Sequence, residues 1–194
     1  MTASMTISGN ANHQPSAEVL ARAAKVQLMI FDVDGVLTDG SLYFDADGEQ
    51  VKRFNVLDGL GIKLLQKMGI ATAIITARSS PIVRRRAEDL GITHVFQGAL
   101  EKHLALAELL AQLNLSEDAC GYIGDDVIDL PILTRAGFAV SVPNGHPEAT
   151  SRVHYVTHAL GGNGAVREVC DLVLRAQNKY EAAIASYLNN SVGL

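Results

Sequence analysis

Aliphatic runs that end abruptly in polar residues constrain this chain more than any other feature. Residues 26–31 read Val-Gln-Leu-Met-Ile-Phe and stop at Asp32-Val33-Asp34-Gly35. Residues 70–75 are Ile-Ala-Thr-Ala-Ile-Ile and run into Thr76-Ala77-Arg78, while residues 120–123 end at Gly124-Asp125-Asp126. Short runs with so little polar alternation belong to strands buried on both faces, the habit of parallel sheets. Between them apolar residues recur at helical spacing, as at Leu60, Leu64, Leu65 and Met68 in residues 59–68 and again in 101–113. Ser16 caps a predicted helix over 16–25, and Ser80 with Pro81 opens another. Further strands are expected at 93–96, 138–142 and 153–156, a helix ending at Ala136, and a long closing helix over 164–188. Strands alternating with helices predict an α/β protein, a three-layer Rossmann-like fold around a mainly parallel sheet. Residues 41–54 break the pattern. Leu42 and Phe44 alternate with Tyr43 around a turn at 46–48, which predicts a protruding β-hairpin.

The chain has 194 residues, enough for one α/β domain, expected over 16–194 behind a polar tail at 1–15. Hydrophobic residues make up 48% and aromatics only 5%, so the core must be aliphatic. A net charge of −5 without a basic stripe argues against nucleic acid, whose phosphates need clustered Lys and Arg; Arg84-Arg85-Arg86 is the local exception. No run is long and apolar enough to suggest a membrane span, and residues 1–15 lack the Lys or Arg and apolar run of a secretory signal. A cytoplasmic protein is expected. Cys120 and Cys170 sit among apolar neighbours and read as buried thiols, and the six histidines show no ligand spacing.

Chemistry should gather where strands end, because open parallel sheets bind ligands at their carboxyl edge. Asp32 and Asp34 are two apart in an extended segment, so their carboxylates share a face. Two such acids hold a cation or share a proton. Thr76 and Arg78 precede a capped helix and suit an anion. Asp125 is the natural further ligand for a hard cation such as Mg2+, with Asp126 and Asp129 orienting it and its waters. Lys102 opens an amphipathic helix and on its own reads as a solvated charge.

Taken in order, Asp-x-Asp, Thr, Lys and Gly-Asp-Asp-x-x-Asp resemble the haloacid dehalogenase-like superfamily across residues 26–156. Residues 31–40, 55–63 and 161–171 extend the likeness. They resemble the phosphatases of that superfamily that act on an eight-carbon 3-deoxy sugar-acid phosphate, a lipopolysaccharide precursor. The resemblance implies Asp32 as nucleophile, Asp34 as general acid and then base, and Thr76 and Lys102 as holders of the transferring phosphoryl group. It implies Mg2+ on Asp32, the Asp34 backbone carbonyl and Asp125. It also places Asn55, Asp58, Gly59, Lys63, Arg78 and Arg86 at substrate-contacting positions. Leu57 and Asn163 depart from the arginines expected there.

Only 36 residues separate Asp39 from Thr76, and 23 separate Arg78 from Lys102, too few for a cap domain over the site. The resemblance accordingly implies a homotetramer, with four hairpins forming a central barrel and the 161–164 loop and final helix reaching toward a neighbour's site. The closest alternative is a phosphatase of nine-carbon sugar-acid 9-phosphates. A receiver-type signalling domain also uses Asp, Thr, Lys and Mg2+, but in a different chain order.

Overall fold

The computed structural model describes residues 14–46 and 50–188. The chain enters through α1 (Ala17–Ala23), whose Val19 N–H donates to the Ser16 hydroxyl at 3.3 Å, the expected cap. Strand β1 (Leu28–Phe31) leads into a wide turn over Val33–Leu37. The hairpin strands β2 (Tyr43–Phe44) and β3 (Gln50–Val51) pair antiparallel, Tyr43 opposite Val51. Then come α2 (Val56–Lys67), β4 (Ala71–Ile75), α3 (Pro81–Leu90), β5 (His94–Phe96), α4 (Lys102–Leu113) and β6 (Cys120–Ile123). A short turn over Val127–Asp129 precedes α5 (Leu130–Leu133). Strand β7 (Phe138–Ser141), α6 (Pro147–Thr150), β8 (Tyr155–Val156), α7 (Ala165–Ala176) and α8 (Tyr180–Leu188) complete the described chain.

Six strands form one sheet in the order β5-β4-β1-β6-β7-β8, every pair parallel. Alternation along each strand divides the core. On β1, Met29 and Phe31 pack with Leu65, Val83, Val166 and Val173 from α2, α3 and α7. Leu28 and Ile30 face the other way, toward Leu106 and Leu109 of α4 and Ile132 of α5. Helices thus cover both faces, and β1 lies inside the sheet with β4 and β6 beside it. The three polar strand ends singled out in the sequence therefore emerge side by side.

Several elements depart from the sequence expectations, each for a local reason. The closing helix is two helices, because α7 stops at Ala176 and Asn178, two residues on, turns left-handed with a φ of 56°. There Lys179 N–H donates to Leu174 O at 2.8 Å and the Arg175 guanidinium stacks 3.5 Å from the centre of the Tyr180 ring. Asn is one of the few residues with a side chain that accepts this conformation, and it serves as a C-terminal stop. The helix expected to reach Ala136 is one turn with Pro131 in it, preceded by a tighter turn. Helix α2 starts earlier than expected, at Val56, with the Asn55 side chain accepting Leu57 N–H at 2.8 Å. Its glycines weaken the helical pattern in the sequence, yet Gly61 lets α2 approach α7 closely: a methyl group there would press on Arg167 and Cys170. The single turn of α6, capped by His146, was not expected at all. The hairpin turn at 46–48 lies largely outside the described residues, as does most of the expected tail at 1–15.

Asp58 receives a different role from the substrate contact implied by resemblance. It is 1% exposed, and its carboxylate accepts Arg167 N–H at 2.8 Å and Gly164 N–H at 3.4 Å. It closes the N-terminus of α7 from the neighbouring helix, where unpaired N–H groups and the helix dipole favour a negative charge. Asp58→Ala should therefore cost about 1–3 kcal/mol of stability, the range for a buried acceptor at a helix start. Thermal melts of the two proteins check this, and an unchanged Tm with a raised KM would restore the substrate role.

Candidate active site

The carboxyl edge of the sheet carries a cavity of about 140 Å3 lined by Asp32, Asp34, Thr76, Ala77, Arg78, Lys102, Asp125, Asp126 and Ile128. Larger hollows exist, such as one of about 510 Å3 beside Phe54, Pro81, Ile82 and Arg86. It holds no cluster of reactive groups, so volume does not locate the chemistry here.

Each wall of the small cavity follows from the sheet order. Asp32 continues β1, its N–H donating to Ile123 O at 3.0 Å, so its side chain stands between β4 and β6. Thr76 continues β4 and is 2% exposed, with its N–H on Phe96 O at 2.9 Å. Asp125 and Asp126 follow β6. Gly35 turns the chain after Asp34 with a φ of 89°, and a side chain there would collide with the Asp125 carboxylate. The wide turn can thus lie against Asp125 only with glycine at that position.

Lys102 reaches this edge from the first turn of α4 with its side chain 1% exposed. Its ammonium donates to Asp129 Oδ1 at 2.6 Å and to the Tyr122 hydroxyl at 3.2 Å. It also stands 2.8 Å from Asp32 Oδ1, close enough for charge attraction but outside hydrogen-bond alignment. Asp129 is fully occupied: Oδ1 accepts Lys102 and Tyr122, and Oδ2 accepts the N–H groups of Asp125 and Asp126 at 2.9 and 3.0 Å. Among the described residues, Asp32 Oδ1 and Asp125 Oδ1 are buried and accept no aligned hydrogen bond.

Charge in this pocket is out of balance. Burial, then the nearby Asp129 charge, pushes the Asp32 carboxyl up to about 7 despite Lys102. Burial and the charges of Asp32 and Asp129 push Asp125 to about 8. Burial works against the Lys102 ammonium, but Asp32 and Asp129 outweigh it and hold its pKa above the ordinary value. Acids so destabilised as anions ask for a cation. Ligand-reach oxygens of Asp32, Asp125 and Asp129 lie within 4.8 Å of one another. Asp129 already has four donors, so the open oxygens are those of Asp32 and Asp125. An all-oxygen set of this kind suits a hard ion such as Mg2+.

Of the residues named from sequence, the cavity brings together Asp32, Asp34, Thr76, Arg78, Lys102, Asp125 and Asp126, with Asp129 directly behind. It does not bring in Asn55, Asp58, Gly59, Lys63 or Arg86. Asn55 caps α2, and its carbonyl accepts Arg86 at 3.2 Å. Gly59 packs beneath that same guanidinium, Asp58 is tied to α7, and Lys63 is exposed on α2. Two residues escaped sequence reasoning. Tyr122 is the one polar-tipped side chain in β6, fully buried on the α4 face, and a phenol there needs a partner. Lys52, just past β3, forms an ion pair with Asp34 Oδ1. Nothing in the local sequence marks it, because the contact depends on where the hairpin folds.

Comparison with known proteins agrees with this geometry. Residues 91–168 match the haloacid dehalogenase-like hydrolase family. The chain is 49% identical over 166 residues to the 3-deoxy-D-manno-octulosonate 8-phosphate phosphatase KdsC of Yersinia pestis, covering 86% of this chain and 89% of that one. Against the KdsC of Escherichia coli K12 the identity is 46% over 168 residues, with 87% and 89% covered. Among solved structures, the Moraxella catarrhalis phosphatase of this name, in complex with magnesium, phosphate and KDO, superposes with a TM-score of 0.86. That pair is 46% identical and covers 88% of this chain and 98% of that one. The cobalt-bound Haemophilus influenzae enzyme gives a TM-score of 0.81 at 43% identity, covering 83% and 94%. The chain belongs to the 3-deoxy-D-manno-octulosonate 8-phosphate phosphatases of the haloacid dehalogenase-like hydrolase family.

Proposed function

We propose that this protein is a Mg2+-dependent phosphatase that hydrolyses 3-deoxy-D-manno-octulosonate 8-phosphate to the free sugar acid and inorganic phosphate, in lipopolysaccharide precursor synthesis. The observation that carries this reading is the pair of buried, unbonded oxygens on Asp32 and Asp125 beside the Lys102 ammonium at one sheet edge. Asp32 attacks phosphorus, and the sugar alkoxide leaves with a proton from Asp34. The resulting aspartyl-phosphate is opened by a water that gives its proton back to Asp34. Thr76 and Lys102 hold the phosphoryl oxygens, and Lys102 offsets charge as one anion approaches another. Asp32, Asp125 and the Asp34 backbone carbonyl would hold Mg2+, which when bound supplies the remaining charge neutralisation. Arg78, at the rim with 42% of its side chain exposed, is placed for the sugar acid.

A cavity of about 140 Å3 has room for a phosphate and little more, so the sugar acid lies over its mouth. Cover there comes from assembly, and four copies around their hairpins would supply it. Leu42, Tyr43, Phe44 and Val51 are between 42% and 64% exposed on strands only two residues long. An isolated ribbon of this size is barely stable, and its edges invite pairing with copies of itself. Among the described residues no helix is long and apolar enough to cross a membrane. A cytoplasmic site of action suits the two free, buried cysteines.

Asp32→Asn should lower turnover by about 10^4-fold or more, as removal of a covalent nucleophile does elsewhere. The parental chain should prefer the eight-carbon 8-phosphate over nine-carbon 9-phosphates and hexose phosphates. A panel of phosphate-release assays reads both, and equal efficiency across the panel would end the specific assignment.

Burial holds Asp32 near 7 and Asp125 near 8 in the metal-free fold, against 3.8 when unconstrained. Between these values the folded chain binds more protons than the unfolded one. Metal-free stability must then fall as pH rises from about 4 to about 8. Mg2+ should raise Tm more at pH 8 than at pH 5.5, and Asp125→Asn should flatten both trends. Calorimetry with and without chelator is the measurement, and a pH-independent Mg2+ effect would contradict it.

Replacing Phe44 and Val51 together by Ser should dissociate the assembly and reduce activity. Light scattering beside an activity assay tests this, and a fully active monomer would rule out a shared site.

A further inference from the structure

We infer that Lys52 is a positioning residue for acid–base catalysis, holding the Asp34 carboxylate from the hairpin; this deepens the phosphatase reading above and rests on it. Asp34 lies in the part of the wide turn that is not helical, with φ −75° and ψ 117°, and 21% of its side chain is exposed. Among the described residues two cations pair with it. Arg78 Nε stands 3.8 Å from Oδ2, too far for a hydrogen bond, and its side chain is 42% exposed. Lys52 is different: its side chain is 1% exposed and its ammonium is directly bonded to Oδ1. An enclosed ion pair is screened less than a surface one, and it fixes the carboxylate more firmly than the longer, more exposed Arg78 contact.

The geometry separates the two oxygens of Asp34. With Oδ1 anchored, Oδ2 is left on the side of Arg78, free to exchange a proton with the leaving oxygen or the incoming water. Proton transfer needs heavy atoms within about 2.6–3.2 Å, so a side chain free to rotate would spend much of its time out of reach. Lys52 lies one residue beyond β3, and its neighbour Arg53 points elsewhere. Arg53 donates to Gly162 O at 3.1 Å and to the Asn163 side chain, and lies 3.8 Å from Asp39. Two consecutive side chains therefore fasten the end of the hairpin, Arg53 to the 161–164 loop and Lys52 to the turn that carries the acid. The position of the acid depends on the hairpin being in place, whereas the position of the nucleophile does not.

A leaving-group comparison tests this with Lys52→Met and Lys52→Arg in the full chain. A p-nitrophenolate departs with little protonation, while a sugar alkoxide needs the acid. Lys52→Met should lose about tenfold more kcat on the sugar 8-phosphate than on p-nitrophenyl phosphate. Lys52→Arg should recover most of that difference. In an Asp34→Asn background Lys52→Met should cost nothing further on the sugar phosphate. Equal losses on both substrates, or full additivity with Asp34→Asn, would show that Lys52 supports the hairpin alone and overturn the inference. Should Lys52→Met fail to fold, Lys52→Gln carries the same comparison. If Asp34→Asn itself showed no leaving-group dependence, the acid role of Asp34 would fail, a result distinct from failure of Lys52.

Discussion

Everything at the carboxyl edge of the sheet depends on one carboxylate that does no chemistry. Asp129 is completely buried and takes four donors, two on each oxygen. Through them it joins the start of α4, the middle of β6 and the loop that follows β6. Without it the Lys102 ammonium would be buried with Asp32 as its one close carboxylate and the neutral Tyr122 hydroxyl beside it, and the Asp125-Asp126 backbone would lose the acceptor of two N–H groups. An unpaired buried charge costs several kcal/mol, far more than the pair contributes when complete. The network is therefore all or nothing, and it fixes Lys102 before any substrate arrives. Tyr122 completes it with a hydroxyl that burial keeps protonated, its pKa pushed well above the usual phenol value.

The same network leaves a deliberate deficit. Lys102 is shared between Asp129 and Asp32, and among the described residues Asp125 forms no ion pair of its own, feeling only the more distant Lys102 charge. Asp32 and Asp125 consequently sit as acids that are uncomfortable when ionised, in a cavity of about 140 Å3. That combination selects for a compact dication and a phosphoryl group together, because each satisfies what the other leaves unmet. Preorganisation of this kind is how phosphoryl transfer is accelerated, since there is little covalent work for the protein to perform.

Much of this was legible in the sequence, and the legible part has a common cause. The aliphatic runs of β1, β4 and β6 are local signals, and each acid or hydroxyl that ends them sits within a few residues of its strand. Asp32, Thr76 and Asp125 could be placed at one edge once the runs were read as parallel strands. What escaped depends on contacts between distant segments. Asp58 follows Asn55 in a stretch that resembles substrate-binding sequence, but the packing of α2 on α7 turns its carboxylate to a helix end more than a hundred residues away. Lys52 reaches Asp34 only because the hairpin folds back over the turn. Asn178 ends α7 through a backbone conformation that its neighbours' helical spacing conceals. At 163, where arginine was expected, the guanidinium of Arg53 is what arrives.

These differences divide the site into two halves with different physics. The phosphoryl half is built on strand ends and the first turn of α4, buried and hydrogen-bonded from several sides. The leaving-group half is built from three irregular segments that hold one another. Asn144 accepts Gly161 N–H at 3.1 Å, Gly162 N–H donates to Val36 O at 2.8 Å, and Arg53 joins that loop to the hairpin. Glu168 on α7 anchors the far end of the loop, accepting the Tyr155 hydroxyl at 2.7 Å and the His158 and Ala159 N–H groups at 2.9 Å. Burial pushes the Glu168 pKa up, but the hydrogen bonds donated by Tyr155, Ala159 and His158 outweigh it and hold the carboxyl below its ordinary value. A rigid half can be common to every phosphate monoester, since it recognises only what they share. The loop-built half is tied to the hairpin through Arg53, so its shape depends on where the hairpin folds. In this fold the hairpin that exposes Tyr43, Phe44 and Val51 also leads into Lys52, which pairs with Asp34.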